Sequence, residues 1–374
     1  MTLIIFEGSP GSAAPEAFLG RVRKAVALDN ACKALLAPGI ARVIVCTDSA
    51  ALVSEAGSLG PRVLVEPGSV GGAFHFGRRL LQLVRKHELS QVFCMGGGTS
   101  PLATSSELSR VASFLDSSDT LVLTNNIYSS DLVALKPASI LEGLELPESD
   151  NSLPSELERA GFKLSSLPWR LGYHFDLDTP VDAVVLGCHP AAGLRTRDEL
   201  ARAEAEGLTE RMSAILGGVV KVSQDPVSEL LVCGRVGSRL FSYLDRRTRC
   251  RLRLVSEERG MKALGRETRG EVVSILAFLL LEAGPERFFD RLSKVSGAAV
   301  LDTRVLLAHV GKGFSRSDRF RSDLGLYEEI EDPFLRRFTR AAATCGVPIL
   351  LGGHSLVTGG LWALLDSVSK ESSE

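Results

Sequence analysis

The sequence predicts an α/β protein: a mostly parallel, Rossmann-like sheet sandwiched between two helical layers, followed by a second, smaller α/β domain. Three observations carry this expectation. Short apolar runs alternate with helical stretches through the first half, as parallel sheets with helices on both faces require. A strand, glycine turn and helix open the chain at Leu3, and the same pattern recurs at Leu230. The 374 residues are more than one core comfortably organises, which gives domains over 1–190 and 191–374.

Leu3 to Phe6 is the first strand, Gly8-Ser9-Pro10-Gly11 its turn, and a helix runs from about Glu16 to Ala37. Strands are expected over Ala41–Asp48 and Arg62–Gly68, then a helix from Gly72 to His87 and a strand over Gln91–Met95. That strand runs into Gly96-Gly97-Gly98-Thr99-Ser100-Pro101-Leu102. Thr104-Ser105-Ser106-Glu107 reads as a capped helix start. Thr120–Thr124 and Tyr128–Leu135 complete the strands of this half. In such sheets ligands sit beyond the carboxyl ends of the strands, where Gly8–Gly11, Gly96–Leu102 and Asp176–Pro180 all fall.

The stretch Asp176-Leu177-Asp178-Thr179-Pro180-Val181-Asp182 places two carboxylates one residue apart at the end of an extended segment. Pro180 suits the first position of a helix, with Thr179 as N-cap and Asp182 in the first turn. As a solvated first-turn acid, Asp182 would be worth about 0.3–1 kcal/mol. Paired carboxylates beside a helix start suit a divalent cation whose shell substrate phosphates complete.

Composition narrows the classes. Residues 1–190 carry 15 basic and 20 acidic side chains, and residues 191–374 carry 28 and 25, so neither half has the concentrated basic surface of a nucleic-acid binder. No apolar run approaches a membrane span, and the N-terminus reads as a strand. Seven scattered cysteines without C-x-x-C spacing point to reduced, buried thiols and a cytoplasmic location.

Val63-Leu64-Val65-Glu66-Pro67-Gly68, Val92 to Glu107 and Asp176 to Asp182, in this order, resemble the small nucleotidyltransferases of the nucleotide-diphospho-sugar-transferase (GT-A-like) fold, in particular the 2-phospholactate guanylyltransferase and molybdenum-cofactor branches. The likeness spans about the first 190 residues and rests on order and spacing. It implies transfer of an NMP from an NTP to a small phosphorylated or carboxylate acceptor, with release of pyrophosphate. It further implies Mg2+ on Asp176 and Asp178, Lys24 and Asp178 as catalytic groups, and nucleotide or substrate contacts from Gly8, Gly11, Arg23, Gly96, Gly97, Gly98, Asn125 and Asn126. The chain departs from the family in two places. The glycine-rich loop is short, leaving Arg21, Arg23 and Lys24 as the cations at hand. The Asp that normally precedes the Pro-Leu pair is replaced by glycines and Thr99-Ser100. A triple glycine still brings main-chain N–H groups against an anion. The alternative reading makes the N-terminal half a degenerate nucleotide-binding or dimerisation module, in a homodimer, with the working site in the C-terminal domain.

Beyond Leu186 the resemblance ends. Arg195–Leu216 reads as a connecting helix, Glu229–Cys233 and Arg249–Val255 as strands, and Val272–Leu281 as a buried helix. A strand at Ala298–Leu301 or Val305–Leu307 and one at Val347–Leu351 follow. Arg249, Arg251 and Arg253 would share one face, as on a charge-protected edge strand. Arg304, His309, Arg316 and Arg319 form a candidate anion site. Gly353-His354-Ser355-Leu356-Val357 imitates a hydrolase elbow, but the second glycine is missing and no His follows Ser355.

Overall fold

The computed structural model describes residues 1–8, 11–127 and 130–371. The chain divides into two compact units, one formed by Met1–Pro10, Gly20–Asp176 and Gly193–Thr196, the other by Gly11–Leu19, Leu177–Ala192 and Arg197–Glu374. The helix Pro180–Gly187 therefore belongs to the second unit, although the sequence assigns it to the first domain.

The first unit holds β1 (Thr2–Phe6), β2 (Arg42–Cys46), β3 (Val63–Glu66), β4 (Val92–Gly96), β5 (Leu121–Thr124), β6 (Leu132–Lys136) and β7 (Leu164–Ser166). Their order is β3-β2-β1-β4-β6-β5-β7, and all pairings are parallel except those of β6. The alternation of side chains along each strand fills two cores. Leu3, Ile5, Val43, Val45, Phe93 and Met95 pack on one face, and Ile4, Ile44, Val92 and Cys94 on the other. Burial on both faces explains why these strands read as continuous apolar runs. The helix Ser105–Asp116 starts at the expected capping box of Thr104 and Glu107.

The second unit carries a smaller, fully parallel sheet of β8 (Glu229–Gly234), β9 (Arg251–Ser256), β10 (Ala298–Asp302) and β11 (Ile349–Gly352), ordered β11-β10-β8-β9. β9 lies at the sheet edge, where Arg251 and Arg253 both pair with Glu229 of β8, as a charge-protected edge would.

Three expectations need correction, and one alternative is decided. The carboxylate pair does not end a strand: Leu171–His174 is a short helix, and Asp176 makes a single antiparallel bridge to Thr99. The connecting helix is two helices, Leu194–Ala205 and Glu210–Gln224, because Gly207 takes a left-handed φ of 74° that ends the first. Of the two alternatives for the strand near residue 300, Ala298–Asp302 forms it, and Val305–Leu307 lies in the helix Thr303–Val310. The apolar helix, Ile275–Ala283, is not buried all round: Ile275, Phe278, Leu279 and Leu281 are exposed. The strand expected from Tyr128 begins at Leu132; Tyr128 and Ser129, like Ser9 and Pro10 of the first turn, lie outside the described residues. All seven cysteines are free, with Cys46, Cys94, Cys233 and Cys250 buried and Cys188 exposed.

Candidate functional site

In the first sheet the connections reverse direction between β1 and β4, and the carboxyl ends of these two strands frame the crevice in which open α/β sheets bind ligands. Glu7 leaves β1 there. Its carboxylate accepts from Arg23 Nε at 3.2 Å and Arg23 Nη2 at 3.0 Å. A Cβ on Gly97 would lie 2.2 Å from Glu7 Oε2, so only glycine lets the Glu7 carboxylate rest over the turn. A Cβ on Gly96 would stand 3.1 Å from Thr99 Oγ1 and 3.8 Å from Arg23 Nη2. Arg23, Gly96 and Gly97 thus meet at one point, with a carboxylate that sequence reasoning missed. The available signal was an acid ending β1 directly before Gly8.

The turn is anchored from below. Asn30 Nδ2 donates to Thr99 O at 2.8 Å, and Lys33 Nζ donates to Pro101 O at 2.7 Å. Burial lowers the Lys33 pKa against the raising influence of Asp29 and Glu107. Ser100 N donates to Phe175 O, which with the Thr99–Asp176 bridge ties the turn to the Asp176 segment. Ser100 itself sits at φ 55°, fully buried, a strained conformation of the kind that concentrates at functional turns.

The other expected residues are dispersed. Lys24, one position round the helix from Arg23, pairs with Glu55 at 2.7 Å. Gly8 has open space where a Cβ would stand, whereas a Cβ on Gly11 would collide with the Glu16 carboxylate. Gly98 is buried in the turn after β4. Asn125 is buried and donates to Tyr173 O at 3.0 Å, tying the end of β5 to the short helix before Asp176. The Asn126 main-chain N–H donates to Thr124 Oγ1 at 3.3 Å. Asp176 is buried and Asp178 exposed.

The helix Pro180–Gly187 has the expected N-cap at Thr179, but Asp182 is not the solvated acid that the sequence suggested. It is fully buried, and its Oδ2 accepts from Thr179 N and Thr179 Oγ1, each at 2.8 Å, and from Asp178 N at 3.2 Å. Burial, and then the charge of Asp178, raise its pKa well above the usual carboxylate range.

In the second unit the structure uses most of the expected anion site internally. Arg304 is buried and forks onto Asp323, and it also donates to Thr303 Oγ1 at 2.9 Å. His309 Nδ1 accepts from Ser274 N at 3.1 Å, with its ring against Phe278. Arg316 lies over the Phe320 ring. Of the four, only Arg319 keeps a buried donor, Nε, without a partner. Ser355 is buried, and Gly352 and Gly353 owe their identity to packing: their Cβ atoms would press on Leu356, Val181 and Thr179.

No protein-family model matches the chain, and no curated protein matches it. Solved structures similar to it include a cytidylyltransferase from Leptospira borgpetersenii serovar Hardjo-bovis (strain JB197), at 16% identity over 55% of this chain and 94% of that one, with a TM-score of 0.41. The 4-diphosphocytidyl-2C-methyl-D-erythritol synthase of Anaerococcus prevotii DSM 20548 is similar at 14% identity over 48% and 93%, with a TM-score of 0.34. A CMP:2-keto-3-deoxy-manno-octonic acid synthetase complexed with CTP is similar at 14% identity over 44% and 88%, with a TM-score of 0.33. These three neighbours are nucleotidyltransferases, and none is a guanylyltransferase. At such scores the likeness says nothing of this chain's activity.

Among the described residues no helix is long and apolar enough to cross a membrane.

Proposed function

We propose that the first unit binds an NTP at the β1/β4 crevice and transfers its NMP to a small acceptor bearing a phosphate or carboxylate oxygen, releasing pyrophosphate. One observation carries this reading: Arg23 is held by Glu7 against Gly96 and Gly97, where the strand order reverses. The Glu7 carboxylate fixes the guanidinium, and a fork held in this way is pre-organised for phosphate oxygens. Gly96 to Gly98 would let the triphosphate approach the main chain.

Asp176 and Asp178 are the carboxylates proposed to hold Mg2+. Among the described residues no three His, Cys, Asp or Glu side chains gather as a metal site. Two carboxylates suit a cation that arrives with the nucleotide, the phosphates supplying the other oxygens. When bound, Mg2+ would neutralise the charge of the triphosphate. The chain's own contribution is then positioning of the α-phosphate and acceptor.

The second reading, a nucleotide-binding or dimerisation module without chemistry, is favoured by Lys24. The cation expected on the triphosphate is engaged with Glu55. A thermal-shift panel of NTPs with and without Mg2+, followed by a pyrophosphate-release assay, separates the two. Stabilisation by Mg-NTP with pyrophosphate release supports transfer, and stabilisation without release on any phosphorylated or carboxylate acceptor supports the module. A panel without stabilisation removes transfer and the nucleotide-binding module, and leaves the dimerisation module, which the oligomeric state in solution tests. A cytoplasmic location is part of the same proposal.

A further inference from the structure

The four-stranded sheet of the second unit has its own reversal point. β8 is followed by its neighbour β9, and the chain then crosses to β10 on the other side of β8 and continues outward to β11. The crevice therefore lies beyond the carboxyl ends of β8 and β10. The sequence places charged groups there in number. Asp302 ends β10 and takes Arg235, just past β8, in a buried two-pronged pair, with Nε to Oδ2 at 2.6 Å and Nη2 to Oδ1 at 3.1 Å. The backbones come close enough that a Cβ on Gly234, at φ 116°, would lie 2.3 Å from Asp302 Cβ. Asp302 also caps the helix Thr303–Val310, whose Arg304 forks onto Asp323. These two ion pairs are closed and neutral.

What they leave over is two buried nitrogens without partners, one on a cation and one on a neutral ring. Arg319 has a buried Nε without an acceptor; its pKa is lowered by burial first and then by the like charge of Arg304. Glu267 and Asp323 are the acids that face it, but Asp323 is already committed to Arg304. His354, just past β11, has a buried Nδ1 without a partner. Burial and then Arg235 push its pKa down to about 4, so its ring is neutral at pH 7. Asp302, already committed to Arg235, and Asp178 are the acids that face it, and Lys262, exposed, is a further positive charge near it. A half-buried guanidinium beside another guanidinium, with a donor left open, is costly unless an anion completes it.

We propose that the crest of the four-stranded sheet is a second ligand site, which takes a phosphorylated small molecule through Arg319, Lys262 and His354. The Arg235–Asp302 and Arg304–Asp323 pairs are its frame and do not bind the ligand. Arg319 and Lys262 supply charge to the phosphoryl oxygens, and the open Nδ1 of His354 supplies a hydrogen bond.

Calorimetric titration of the full chain with inorganic phosphate, in a phosphate-free buffer of low chloride, tests this. Saturable one-site binding is expected. Arg319→Gln and His354→Gln should each weaken it about tenfold or more, the scale of one charge-assisted hydrogen bond. Arg23→Gln should leave it unchanged, which separates this site from the N-terminal one. Without phosphate, Arg319→Gln should melt at or above the parent's temperature, because an uncompensated cation has gone. Lys262→Met, on an exposed side chain, gives a variant whose folding is not at stake and should also weaken binding. Absence of saturable phosphate binding in the parent overturns the proposal. So does binding kept by Arg319→Gln, His354→Gln and Lys262→Met alike, or binding lost only in Arg23→Gln.

Discussion

Replacing Asp182 by alanine should cost the second unit about 2–4 kcal/mol, although Asp182 reads in sequence as an ordinary helix-start acid. Its Oδ2 is the acceptor for two main-chain N–H groups, of Asp178 and Thr179, and for the Thr179 hydroxyl. The hydroxyl can turn to another acceptor, but the two N–H groups cannot. At about 1–3 kcal/mol for each buried donor left open, they account for about 2–6 kcal/mol. Removing a fully buried carboxylate returns part of that, since its ionised form is disfavoured by burial and by Asp178. Asp182→Asn keeps an acceptor in the same place and should stay within about 1 kcal/mol of the parent on the same grounds. Urea unfolding followed by tryptophan fluorescence and far-ultraviolet circular dichroism measures both. An alanine variant within about 0.5 kcal/mol of the parent would refute the assignment of Asp182 as the central acceptor of this turn.

Three further outcomes are expected. Glu66 is buried among Arg79, Lys86 and His87. Glu66→Ala leaves Arg79 a buried cation without its acid and should cost about 3–5 kcal/mol in urea unfolding. Burial alone would raise the Glu66 pKa, but hydrogen bonds and charge from Lys86 and His87 outweigh it and hold the group below the usual glutamate value. Its stabilisation is therefore complete above the unfolded-state pKa and lost as pH falls through the lower folded value, and a pH series should show this component in the parent and not in the variant. Arg23→Gln should weaken Mg-NTP binding about tenfold or more in calorimetry while melting within a few degrees of the parent; unchanged binding would remove Arg23 from the triphosphate site. Asp178→Asn should abolish the dependence of NTP binding on Mg2+ with the fold intact, and a variant that binds Mg-NTP like the parent would leave the module reading in front.

Much of the scaffold was legible because its signals are local. Continuous apolar runs fix β1, β2 and β4, and Thr104–Glu107 and Thr179–Asp182 announce their helices through capping chemistry that needs no tertiary context. The site was less legible because its geometry is made at long range. Nothing in the sequence says that the carboxylate of Glu7 lies over Gly97, ninety positions away, or that Lys24 turns to Glu55 while Arg23 does not. Arg304 illustrates the same limit. As a cation among polar neighbours it reads as an anion contact, and only the fold supplies Asp323 as its partner. Ile275 to Leu281 reads as buried because composition reports apolarity and cannot say which face is covered.

The four residues Gly193–Thr196 belong to the first unit, and they set an order of events during synthesis. Asp29, buried in the long helix Ala14–Leu35, accepts from the N–H of Thr196 at 3.0 Å, its hydroxyl at 2.8 Å and the N–H of Arg195 at 3.4 Å, and the Arg195 guanidinium stands 3.5 Å away. Gly193 must be glycine for this segment to close, because a Cβ there would stand 2.1 Å from Asp29 Oδ2. The last strand of the sheet has been synthesised by Ser166, yet Asp29 waits some thirty residues longer for these partners. A nascent chain paused in that interval carries a finished sheet with one open acid. A fragment ending at residue 190, where composition and resemblance alone would cut, would carry the same defect permanently.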